Sequence, residues 1–145
     1  MSEYHYTESG LRNIWLASGF DLVETNYGEG VAIHNIEGLH RAIGEALSRK
    51  AWITGSELRF IRKEMDLSQN ALGLLLGTTC QAVAKWEKTG RVPKTADRMI
   101  RLIYLEHIGG NIPIRSTIER INDTDHAEYE RMTAEESEHG WLIAA

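Results

Sequence analysis

The spacing of apolar residues changes twice along the chain. Up to about residue 35 the aromatics Tyr4, Tyr6, Trp15, Phe20 and Tyr27 stand among Gly10, Gly19, Gly28 and Gly30 with no helical period. Short extended runs broken by glycine turns account for this, with Leu22-Val23 and Val31-Ala32-Ile33 as strands of a small sheet. Gly28-Glu29-Gly30 reads as a hairpin turn, since no Lys-Ser/Thr follows it as a phosphate-binding loop requires. From Ile36 to about Lys50 the pattern turns helical, with Leu39, Ile43, Ala46 and Leu47 on one stripe. Residues 48–55 then read as a linker holding one anchored aromatic, Trp52, and a domain boundary falls there.

The second helical stretch, Thr54 to Tyr104, is more closely specified. Its first helix starts at Thr54 or Ser56, with Glu57 favourable near the amino end of the helix dipole and Leu58, Ile61 and Met65 as its inward stripe. Ser68 can cap the next helix by accepting from an unpaired first-turn amide, and Leu72 and Leu76, four apart, face inward. Gly77 stands where that helix must stop, because glycine takes the left-handed conformation without steric penalty. Thr79 caps a third helix whose Val83 and Trp86 return to the same core. Beyond Pro93, the residues Ala96, Met99, Ile100, Ile103, Tyr104 and His107 make a long amphipathic helix, ended by Gly109-Gly110 and available for dimer contacts.

This order of residues resembles the helix-turn-helix unit of the Xre family, the group of the lambdoid phage repressors and Cro. The match lies in Leu67-Ser68-Gln69, Gly77-Thr78-Thr79, Val83 with Trp86-Glu87, and Pro93, and covers roughly 50 residues. Leu39-His40-Arg41-Ala42-Ile43 and Leu58-Arg59-Phe60-Ile61-Arg62 are also similar to the second half of MqsA-type zinc-finger/helix-turn-helix proteins, which act as antitoxins and autorepressors. The resemblance implies a mainly α fold: a five-helix lambda-repressor-like DNA-binding domain over 54–110, preceded by a small α+β domain over 1–50. Residues 111–145 follow as a short helix, Ile114 to Ile121, an acidic tail and a possible terminal strand, Trp141 to Ala145. It also implies a partly buried ion pair between Arg62 and Glu87. Gly73 stands where the family has Ala, which close packing of the third helix explains. Leu74 and Leu75 occupy positions usually polar, as if covered by the front domain or a second subunit. Thr89 occupies a place where relatives have Gly, with Gly90 one residue late.

Composition narrows the class. With 145 residues, 42% of them hydrophobic, the chain can bury one core or two small ones. No apolar run reaches the ~18 residues of a membrane span, and the first residues lack the pattern of a signal peptide, so a cytoplasmic protein is expected. A single cysteine, Cys80, excludes an internal disulfide and the zinc ribbon of MqsA-type proteins. His34 and His40, six apart across an element boundary, do not have metal-ligand spacing. The net charge of −5 is adverse to nucleic acid until it is divided by segment. Residues 54–108 hold nine Lys or Arg against six Asp or Glu, and the rest of the chain is strongly acidic, including seven acids against one Arg from Asp123 to Glu138.

With the third helix in a major groove, Thr79, Cys80, Gln81, Ala84 and Lys85 meet base edges. Gln81 can pair bidentately with adenine, Lys85 can donate to guanine, and Thr79 or Ala84 can touch a thymine methyl, a contact open to Cys80 as well. Gln69 is placed to donate to a phosphate or an outer base, while Lys88, Arg91 and Lys94 are expected on the DNA backbone. The expectation is a sequence-specific DNA-binding regulator, a homodimer on a palindromic operator, with no metal, no cofactor and no enzymatic activity. The alternative is an antitoxin whose front domain or acidic tail neutralises a basic toxin protein.

Overall fold

A capping box opens the best-specified helix. Thr54 Oγ1 accepts from the Glu57 amide at 3.2 Å, and Glu57 Oε1 accepts from the Thr54 amide at 2.9 Å, so two orphan donors are satisfied reciprocally. The computed structural model describes residues 3–109, 133–138 and 140–144, and over these the protein is mainly α with small antiparallel strand pairs. Five helices are present among the described residues: α1 (Ile36–Ser48), α2 (Gly55–Glu64), α3 (Gln69–Leu76), α4 (Cys80–Thr89) and α5 (Lys94–Ile108). Before them come the short pair β1 (Tyr4–His5) and β2 (Trp15–Leu16), then the hairpin β3 (Phe20–Thr25) and β4 (Gly28–Ile33). In that hairpin Leu22 faces Val31, with Gly28 at φ 111° beside the turn. The hairpin β5 (Thr133–Ser137) and β6 (Gly140–Ala144) lies near the end, so the apolar ending pairs within its own chain. The helix expected at Ile114 to Ile121 and most of the acidic run from Asp123 lie outside the described residues.

The expected boundary near residue 50 is not a break in the core. A single buried apolar cluster runs from Tyr6, Leu11 and Leu16 through Ile43 and Leu47 to Leu58, Ile61, Leu72, Val83, Ile100 and Tyr104. Helix α1 lies so close to α5 that a Cβ on Gly44 would come within 2.1 Å of the Tyr104 hydroxyl oxygen. Among the described residues four helices, not five, lie within 54–109, and α1, assigned by periodicity to the front domain, packs against them.

The supposed linker is likewise strapped down. Asp97 Oδ2 on α5 accepts from the Ile53 amide at 2.8 Å, and Arg101 donates to the carbonyls of Lys50 and Ala51. Ile53 is the residue buried there, whereas Trp52, expected to be the anchor, is 64% exposed. The tether to Asp97 fixes the backbone at Ile53 and directs its side chain into the core, which leaves the neighbouring indole outside.

The front segment is held by a polar chain. Tyr6 Oη lies 2.7 Å from His40 Nε2, and His40 Nδ1 lies 2.8 Å from Glu64 Oε1, with Phe60 edge-on to the imidazole. Burial, with Glu8 and Glu64 nearby, raises the Tyr6 phenol above its ordinary value, so the hydroxyl keeps its proton for that bond. His40 is thus a hydrogen-bonded histidine on α1 that links the front segment to α2, and His34 sits in an exposed pair with Asp21.

Candidate nucleic-acid interface

Local chemistry places α3 and α4. Ser68 Oγ accepts from the Ala71 amide at 2.9 Å and Thr79 Oγ1 from the Ala82 amide at 3.1 Å, so both caps read from the sequence are formed. Gly77, at φ 74°, closes α3 in the left-handed conformation. A Cβ on Gly73 would meet Thr79 backbone atoms at 2.9 and 3.0 Å, so the two helices approach too closely there for an alanine. On the other side, a Cβ on Gly55 would lie 2.3 Å from the Glu87 carbonyl oxygen, so the start of α2 rests on the end of α4. The turn after α4 is made at Gly90, at φ 75°. Thr89 extends the helix by one residue, donating its hydroxyl to the Lys85 carbonyl at 2.8 Å.

The angle of α4 is fixed by charge as well as by packing. Arg62 Nε and Nη2 donate to Glu87 Oε2 and Oε1 at 2.7 and 3.1 Å, and Arg62 Nη1 donates to the Leu67 carbonyl at 2.9 Å. The side chains retain 10% and 7% of their exposure, so this is a buried, forked pair. Gln69 joins it, donating from Nε2 to Glu87 Oε1 at 3.2 Å. That corrects the assignment of Gln69 to the DNA surface alone: one of its amide hydrogens is committed to the ion pair. Of the two leucines expected to be covered, Leu75 is buried in the core, whereas Leu74 is 65% exposed.

The remaining residues expected at the interface fall into two groups. Thr79, Gln81 and Lys85 are exposed on α4, and Cys80 and Ala84 half-buried; the Cys80 thiol lies 3.5 Å from Gln81 Oε1, as a donor to it. Lys88, Arg91 and Lys94 are exposed at the end of α4 and the start of α5. Together with Arg98, which the sequence reading missed, Lys85, Lys88, Arg91 and Lys94 pair with no carboxylate among the described residues. The acids of the same stretch are Glu87 and Asp97. Glu87 is bound to Arg62, and Asp97 Oδ1 lies 2.5 Å from Arg101 Nη2, both pairs largely buried. Five exposed cations between 85 and 98 are therefore left uncompensated by any exposed acid of that stretch. Arg98 carried a signal in its four-residue spacing from Lys94, on one face of α5.

Two hollows follow this surface. One, about 440 Å³, is lined by Lys85, Trp86, Thr89 and Arg91. The other, about 270 Å³, lies between residues 51–53 and the start of α5, with Trp52, Arg91, Lys94 and Arg98 on its walls and Asp97 among them. Arg91 belongs to both and joins them. No family model matches this sequence, and no curated protein or solved structure matches it.

Proposed function

We propose that the protein is a sequence-specific DNA-binding regulator with a lambda-repressor-like helix-turn-helix over 54–110, acting as a repressor or autoregulator of the Xre type. The observation that carries this is the charge state of the 85–98 surface: five exposed cations beside a capped, rigidly oriented helix, with both neighbouring acids consumed internally. Such a surface attracts a polyanion, and a helix with small and amide side chains at its start fits a major groove. In this reading α4 is the recognition helix. Gln81 and Lys85 read bases, Thr79, Cys80 and Ala84 make apolar contacts, and Lys88, Arg91 and Lys94 hold phosphates. One such helix reads too few base pairs for specificity, so two copies bind a palindrome, and the exposed Leu102 and Leu105 on α5 supply apolar surface for the dimer.

Selection of bound duplex from a random pool tests this. Wild type should enrich a palindromic site. Gln81→Ala and Lys85→Ala should each lose preference at particular positions, at a cost of about 1–3 kcal/mol, while Arg91→Ala weakens all sequences alike. Variants that keep the wild-type preference would place the reading face elsewhere.

One observation favours the second reading, an antitoxin that captures a basic protein. Hairpin β3–β4 carries Asp21, Glu24 and Glu29 and no Lys or Arg, leaves Leu22, Val23 and Tyr27 exposed, and sets Glu24 directly opposite Glu29. Like charges opposed across strands are destabilising, and a cationic partner would relieve that cost. Co-purification of a neighbour-encoded basic protein with wild type but not with Glu24→Lys/Glu29→Lys supports this; equal recovery with both rejects it.

A further inference from the structure

We infer that the hollow between Trp52 and the start of α5 is a seat for one sugar-phosphate unit of the DNA backbone, beyond the base pairs met by α4. This deepens the DNA-binding reading and rests on it.

The chemistry of the walls selects the ligand. Arg91, Lys94 and Arg98 bring three exposed guanidinium or ammonium groups to one cavity, and none has a carboxylate partner among the described residues. The acid on the wall, Asp97, is offset by the Arg101 guanidinium and accepts from the Ile53 amide, so its charge is not free to oppose an anion. Trp52 is 64% exposed and lines the same cavity, an arrangement that leaves a large apolar surface wet unless something covers it. Its ring is already flanked by the Lys50 ammonium, 5.9 Å from the centroid, and Lys50 is held in turn by Glu57. The indole is thereby held in place by its neighbours. A deoxyribose packing on the indole, with its phosphate among the three cations, satisfies both kinds of wall.

Size and position favour a passing chain over an enclosed small molecule. At about 270 Å³ the hollow falls below the ~300–1,000 Å³ of sites that enclose a whole ligand, and it suits a chain passing across it. Arg91 lines this hollow and also the one beside Lys85, Trp86 and Thr89, so the two share a cation between α4 and Trp52.

The test compares wild type with Trp52→Ala, Trp52→Phe and Arg98→Ala on the selected duplex, by binding across a salt series and by ethylation interference at each phosphate. Both positions are exposed, so the folded state is retained, which unfolding curves check. Trp52→Ala should weaken binding about tenfold and Trp52→Phe much less, with base preference unchanged. Arg98→Ala should lower the salt slope by about 0.9 for each protomer on the duplex and erase interference at the outermost contacted phosphate. Wild type that enriches a site while all three variants match it in affinity, slope and interference overturns the seat and leaves the DNA reading standing. Loss of base preference in Trp52→Ala would overturn it too, as would deoxyadenosine monophosphate binding that depends on Trp52 while duplex affinity does not. Wild type that binds no duplex selectively removes both.

Discussion

Replacing Glu87 by leucine should be among the most damaging single changes in the protein, and replacing Arg62 as well should repair most of the damage. With Glu87 gone, Arg62 keeps only the Leu67 carbonyl as acceptor, and the Gln69 amide loses its partner too. The guanidinium retains about a tenth of its exposure, so water cannot replace those bonds. Stranding one charge of a buried pair costs about 3–5 kcal/mol. Arg62→Met should cost a similar amount, since it leaves the carboxylate with Gln69 alone and the Leu67 carbonyl unpaired. In the double variant Arg62→Met/Glu87→Leu both charges are absent, and the remaining penalty is two weakened neutral groups at about 1 kcal/mol each, offset by new apolar contact. The cycle should therefore show a coupling of at least ~3 kcal/mol. Urea unfolding followed by helical circular dichroism measures it; with a slope near ~2 kcal/mol/M each single change moves the midpoint by roughly 2 M. If both singles cost under ~1 kcal/mol, as exposed pairs do, the pair does not fix α4 to α2.

Other perturbations have definite signs. Gly73→Ala gains about 1 kcal/mol of helix propensity but must displace the Thr79 backbone, so thermal unfolding should show a net loss of about 1–2 kcal/mol. Glu24→Lys turns a repulsive cross-strand pair into an attractive one and should raise protection of the hairpin amides by about 0.2–1 kcal/mol in hydrogen exchange. Burial, then the nearby Glu64 and Glu45, push the Tyr104 phenol up to about 12. The phenol of the unfolded chain ionises near ~10, so this stabilisation is complete below that pH and is lost as pH rises toward the folded value. Stability should fall by the order of 2–3 kcal/mol across that window in wild type, and Tyr104→Phe should flatten the fall.

What could be read from the chain was what the chain decides locally. Ser68, Gly77 and Thr79 each act on amides or dihedrals within a few residues, and each is found doing so. Gly73 was legible because a missing methyl inside a helix has few uses besides close approach. The misreadings all turn on long-range contacts. Periodicity gave α1 its inward stripe but left open whether the strands or the next domain covers it, and the helix packs on α5, across the boundary drawn at residue 50. The choice between Trp52 and Ile53 as anchor was made by Asp97, forty-four residues away from Ile53, and no local propensity carries that information. Leu74 and Leu75 were both expected to be covered, and only Leu75 is, by this chain's own core, while Leu74 is 65% exposed.

On the proposed function, the same internal pairing bears on how an acidic protein meets DNA. A buried Glu87 and a buried Asp97 hold α4 to α2 and α5 to residues 50–53, and each also removes a negative charge from a segment rich in Lys and Arg. Had either acid been exposed, it would cancel one of the five free cations at close range, where screening is weak. Geometry and potential are thus set by the same residues, so a variant that loosens the helix angle also alters the field it presents. Three of the acids that remain exposed at the front, Asp21, Glu24 and Glu29, sit on a hairpin without Lys or Arg. A duplex, with one phosphate charge per ~1.7 Å of its axis, is drawn to the first surface and repelled by the second. On the proposed function the molecule therefore docks with β3–β4 turned from the DNA, which leaves that hairpin open to a cationic protein while the operator is bound.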